Sequence, residues 1–135
     1  MKTFGFARGL VGITGLFQLV LGIILWTGHL RGLVNLHMIV GSLFVLGLWV
    51  LAGAGGRARA PIGLVITTLL WGVIVLVFGM MQSRLVLGRH HWVVQVAHLL
   101  VGIIAMGLAG RLQMAVRRAL ASAPTPPGLS TPARH

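Results

Sequence analysis

The sequence predicts an all-α fold: an integral membrane four-helix bundle, up-down-up-down, built from two pseudo-repeated helical hairpins. Three observations predict it. Of 135 residues, 57% are hydrophobic and only 8% are charged, too thin a polar skin for a soluble domain of this size. The apolar residues fall in four stretches, each bounded by Arg, Gly, His or Pro and free of charge inside. Each has about the 20 helical residues needed to cross a hydrocarbon core of roughly 30 Å. In lipid a helix satisfies all its own backbone groups, so helices are the expected form.

The first span, 9–28, follows Lys2 and Arg8. It is too long for the apolar part of a signal peptide and ends in Leu25-Trp-Thr-Gly-His29 without a small-x-small cleavage site, so a retained helix is expected. The second span, 33–54, leads into the stretch from Gly53 to Pro61, whose Gly and Pro residues mark a tight connection. The third span covers 62–82 and the fourth 92–110. Residues 1–118 then form one four-span domain. The segment 119–135, with Ala123-Pro-Thr-Pro-Pro-Gly128, is expected as a disordered cytoplasmic tail. Trp26 and Trp92 are expected at the outer interface and Trp49 near the inner one. Trp71, midway along the third span, receives no role.

The formal charge is +11, with no Asp or Glu. Lys2, Arg8, Arg57, Arg59, Arg111, Arg117, Arg118 and Arg134 fall on the side of the N-terminus, leaving Arg31, Arg84 and Arg89 opposite. This bias predicts cytoplasmic termini in a cell inner (plasma) membrane. It assigns the basic charge to topology and anionic lipid rather than to nucleic acid. The absence of Cys excludes disulfides, thiolate catalysis and covalent c-type haem. The absence of carboxylates removes the usual general acids and bases and the acidic metal ligands.

An internal repeat at an offset of 61 pairs Phe17 with Phe78, His29 with His90, His37 with His98, Val40 with Val101, and Gly41 with Gly102. A direct repeat of two hairpins implies an approximate two-fold axis along the membrane normal. His37 and His98 lie inside spans two and four, both entered from the outer side, roughly 6–10 Å deep at 1.5 Å per residue. Ionisable groups inside a membrane are rare and mark function. Each histidine is followed at i+4 by a glycine, Gly41 or Gly102, leaving bare backbone on the same face. A flat macrocycle needs such clearance, and Gly15, Gly22, Gly72 and Gly79 offer it on the other two spans. Small residues also serve close helix packing, and a buried neutral histidine also serves as interhelical glue.

Haem fits this donor set better than a bare ion: two imidazoles complete six-coordinate haem iron, whereas zinc wants more ligands. The sequence expectation is haem b between His37 and His98, with haem a or o left open. Arg31, Arg84 and Arg89 share that end and suit the propionates. Gln18, Asn35 and Gln95 are candidate partners of the rings or plain helix–helix contacts. His29, His90 and His91 form either a shallow site for copper, zinc or a quinol headgroup, or ordinary interfacial histidines.

Two parallel-running helices, each carrying one outer-leaflet histidine, resemble a four-helix half of the haem A synthase family. They are also similar to the bis-His membrane cytochromes of the cytochrome b561 type. The resemblance spans most of residues 9–110 and rests on His37 and His98. It implies a haem-binding bundle. Haem A synthases carry a Glu-x-x-His element, and this chain has no Glu. Cytochromes of the b561 type hold histidines for two haems near opposite faces, and here only the outer half has them.

The leading expectation is an electron carrier with one haem near the outer face, working between a membrane donor such as quinol and a redox-partner protein. The alternatives are a cofactor-free accessory or structural subunit of a larger membrane complex, a homo-oligomer among them, and a haem A synthase-like or haem-handling protein. An electron carrier or accessory subunit is favoured over a catalyst.

Overall fold

The computed structural model describes residues 2–28, 31–85 and 88–122. Among them are four α-helices and no strand: α1 (Lys2–Trp26), α2 (Val34–Arg57), α3 (Ile62–Met81) and α4 (His91–Ala121). Single 3-10 turns at Arg31–Leu33 and Gln82–Arg84 lie between α1 and α2 and between α3 and α4. All four helices are long and apolar enough to cross a membrane, with mean hydropathies from 2.0 to 2.5. Most of each apolar surface faces outward: Ile13 is 73% exposed and Ile62 68%. The hydroxyls inside the helices close on their own backbone. Thr14 donates to the Leu10 carbonyl at 2.6 Å and Thr68 to that of Leu64 at 2.8 Å, which removes the cost of an unpaired hydroxyl in apolar surroundings.

Consecutive helices run antiparallel. Gly15 meets Phe44 while Gly22 meets His37, and between α3 and α4 Trp71 bonds to Val101 while Gly79 meets His98. Helices α2 and α4 run parallel, since His37 faces His98 at one end and Gly55 faces Leu112 at the other. The end holding Lys2, Arg57 and Ala121 is called the base below, and the end holding Trp26, His37 and His91 the top.

Three helices outrun the spans expected from hydropathy. α1 begins at Lys2 and α4 continues to Ala121, carrying Arg111, Arg117 and Arg118. Charge ends an apolar run but not a helix, whose backbone bonds continue into polar surroundings. Residues 123–135, most of the expected tail, lie outside the described residues. The α2–α3 connection is also shorter than the Gly53–Pro61 stretch, because α2 runs on to Arg57. Pro61 disfavours helical backbone at the residue before it, which makes the chain stop there. The left-handed residue that ends α2 is Arg59, with φ 56°, and the Ala60 amide returns to the Gly55 carbonyl at 2.9 Å.

The cross-section is not that of a square bundle. A square bundle would hold α2 and α4 apart on its diagonal, but here they pack directly, as do α1 and α4. Small residues at the base allow it. Ala52, Ala105 and Ala109 are buried, and Leu112 lies over Gly55. The apolar core is accordingly one-sided. Its large members Phe44, Val45, Leu48, Leu51, Leu112 and Val116 all lie toward the base. In the top half Leu21, Val40 and Val94 are buried but stand outside that cluster.

Candidate functional site

The loosely cored top half holds the histidine pair. His37 lies in the first turn of α2 and is 8% exposed. His98 lies two turns into α4 and is half-buried. Their ring centroids are 6.2 Å apart, with the planes tilted by 58°. The offset of 61 residues therefore corresponds to a real juxtaposition of two parallel helices.

Each ring is seated on a glycine of the preceding helix. A methyl group at Gly22 would meet the His37 Cε1 at 3.6 Å, and one at Gly79 would meet the His98 Cε1 at 3.4 Å. Beyond this the two halves diverge. On α1, Gln18 places its Nε2 2.9 Å from His37 Nε2. The contact joins the amide end of Gln18 to one ring nitrogen of His37. Gln18 reaches this position by lying across Gly41, where a methyl group would come within 2.8 Å of its Nε2. On α3 the repeat puts Gly79 in the place of Gln18, and the neighbour of His98 is instead Phe78, stacked at 5.9 Å and 28°. Below that contact, Trp71 Nε1 donates to the Val101 carbonyl at 3.0 Å and pins α3 to α4 one turn past His98. Phe78 and Trp71 carried no signal as site residues, because aromatic side chains in an apolar span look alike until the packing is known.

Three buried polar atoms in this cluster have no partner among the described residues: Nδ1 of His37, Nδ1 of His98 and Oε1 of Gln18. Buried polar groups are nearly always satisfied, and orphans gathered in one place point to a missing ligand or water. The ring separation tests which ligand. A metal–imidazole bond is about 2 Å long and a ring centroid lies roughly 1 Å behind its nitrogen, so two axial imidazoles on one ion stand about 6 Å apart. The observed 6.2 Å matches. Room for a macrocycle is uneven. Gly102 faces open space, whereas Gly41 is covered by Gln18. The ring spacing suits two imidazoles on one haem iron, whereas His37 Nε2, 2.9 Å from the Gln18 amide, is turned to α1 rather than left free to ligate.

The remaining candidates are less engaged. Arg84 and Arg89 are exposed at the top, and Arg31 opens the turn before α2 with its side chain outside the described residues. Asn35 is exposed and Gln95 half-buried. His91 donates from Nδ1 to the Leu85 carbonyl at 3.3 Å, a contact that closes the α3–α4 turn, and His90 is exposed. His29 and His135 lie outside the described residues. Among the described residues, no cluster of three or more His, Cys, Asp or Glu could hold a bare metal ion.

The sequence matches no family model, no curated protein and no solved structure. The functional reading therefore rests on the site alone.

Proposed function

We propose that this chain is an integral membrane electron-transfer protein that holds one haem, of b type, between His37 and His98 near the outer face. The observation that carries the proposal is the 6.2 Å separation of two imidazoles from parallel helices, in the half of the bundle with the least core. The outward apolar surface supports insertion in a bilayer, and the cation-rich base supports cytoplasmic termini in a plasma membrane.

Each residue then has a job. His37 would ligate through Nε2, the nitrogen that the Gln18 amide occupies until it moves aside. His98 supplies the opposite bond, its ring held by Phe78 on one face and Gly79 at its edge. Gly102 keeps the α4 surface flat one turn below. Arg84 and Arg89, with Arg31, supply cations at the top for propionates. A haem with two imidazole ligands exchanges one electron and leaves no position open for oxygen or substrate. Quinol as donor and a second protein as acceptor suit a carrier whose histidines lie near one membrane surface.

The test is haem content. Protein purified from haem-replete cells should carry one protohaem per chain by its alkaline pyridine spectrum, and His37→Ala or His98→Ala should carry none. Full haem content in both variants would overturn the proposal.

A second reading, a cofactor-free subunit of a larger membrane assembly, is favoured by one feature. Gly5, Gly9 and Gly12 share the outer side of α1, all exposed with open space above them, in the spacing that lets membrane helices approach closely. Disulfide cross-linking of a Gly9→Cys chain in membranes separates the readings. Cross-linked, colourless protein supports assembly, and coloured monomer supports the carrier.

A further inference from the structure

The base carries an open groove. A groove of about 810 Å³ opens on the outside of the bundle between the start of α1, the second half of α2 and the end of α4. Phe4, Leu46, Trp49, Val116 and Leu120 form its apolar walls, and Arg57 stands at its mouth. From Leu46 to Arg57 it follows α2 for roughly 16 Å at 1.5 Å per residue, a length suited to a hydrocarbon chain rather than to a compact solute. Arg57 folds back along its helix, so a methyl group at Gly53 would meet its Nη1 at 3.5 Å. The guanidinium thus overlies the apolar channel.

That guanidinium has no carboxylate side chain to pair with anywhere in the chain, because the sequence contains no Asp or Glu. Arg8, Arg59, Arg111, Arg117 and Arg118 lie at the same end under the same restriction. A planar donor fork over an apolar channel, in a surface of one charge sign, complements a ligand with an oxyanion at one end and a hydrocarbon chain at the other. We infer that the groove is a binding site for an anionic glycerophospholipid of the inner leaflet. One acyl chain lies along α2 and the phosphate sits on Arg57. The inference rests on the membrane reading above and is independent of the haem.

Trp49 lines the groove and reports on it. The full chain is reconstituted in phosphatidylcholine nanodiscs containing a minor fraction of phosphatidylglycerol, with bromine on the acyl chains of one lipid at a time. Brominated phosphatidylglycerol should quench Trp49 as though enriched about fivefold over brominated phosphatidylcholine at equal mole fraction. The excess should vanish in a Trp49→Phe control. It should be lost in Arg57→Gln and also in Gly53→Leu, which keeps the charge but fills the groove. It should persist in Arg111→Gln, which removes a basal cation outside the groove. Equal quenching by the two lipids, or an equal loss in Arg111→Gln and Arg57→Gln, would overturn the site in favour of general surface attraction. A chain that stays in the aqueous phase would overturn the membrane reading and the groove together, whereas an inserted chain without preference overturns the groove alone.

Discussion

Replacing Gly72 by alanine should be among the most damaging single-methyl changes in this bundle. The Trp49 indole lies directly on Gly72: an added methyl group would overlap its Nε1 and stand 3.0 Å from its Cδ1 and 3.3 Å from its Cε2. The ring cannot yield by a small rotation, because its Nε1 donates to the Leu69 carbonyl at 3.2 Å, on the same face of α3. The methyl group therefore separates α2 from α3 or expels the indole. Overpacking of this kind costs about 1–3 kcal/mol, and an interhelical hydrogen bond within a membrane adds about 0.6 kcal/mol, at most about 1.7. The expected loss is about 2–4 kcal/mol. Alanine's better helix propensity returns less than about 1 kcal/mol. The assay is reversible denaturation in mixed micelles, followed by circular dichroism, on Gly72→Ala, Trp49→Leu and the double variant. In the double variant the methyl group meets no indole, so the penalty should largely disappear. A Gly72→Ala protein as stable as the parent, or a double variant whose losses simply add, would refute the packing argument.

Three further predictions concern the site. Gly41→Ala should destabilise the protein while Gln18 is present, because the methyl group would lie 2.8 Å from the Gln18 amide nitrogen, and the damage should be relieved in Gln18→Ala/Gly41→Ala. The same denaturation assay checks it, with about 1–3 kcal/mol at stake for a buried imidazole left without its partner. Gly22→Ala and Gly79→Ala should keep their haem, since the added carbons meet ring edges at ordinary contact distances of 3.6 and 3.4 Å. Gly79→Leu should displace His98 and lose the haem, and a Gly79→Leu chain with full haem content would mean that His98 is not a ligand. Neutralising Arg31, Arg84 and Arg89 to glutamine should lower the midpoint potential by on the order of tens of millivolts, because ferric haem carries one more positive charge than ferrous haem and nearby cations disfavour it. An unchanged potential in a redox titration would remove these arginines from the site.

Much of the fold was legible because hydropathy reads directly as helix when a stretch is long enough. The pairing of His37 with His98 was legible for a different reason. Parallel helices in a direct repeat bring equal offsets to equal depth, and 61 residues is the separation the structure uses. The closure of the α2–α4 diagonal was not legible. It depends on which faces Gly55, Ala52, Ala105 and Ala109 present to each other, and small residues are spread through all four spans. Hydropathy bounds the apolar spans but not the helices, since α4 carries Arg111, Arg117 and Arg118 without a break. At the site, Gln18 stood beside Asn35 and Gln95 as an equal candidate, and only the packing across Gly41 selects it. Phe78 entered the sequence argument only as the repeat partner of Phe17. The structure stacks Phe78 on His98 and leaves Phe17 48% exposed, so the repeat holds for His37 and His98 and is broken in their surroundings.

The central claim is that His37 and His98 hold the same iron. A reduced-minus-oxidised visible spectrum of the detergent-purified chain, with His37→Ala and His98→Ala recorded alongside, tests it most directly. The account predicts a sharp α band on reduction that disappears in either variant. A colourless protein from haem-replete cells, or a band that survives both substitutions, would contradict it.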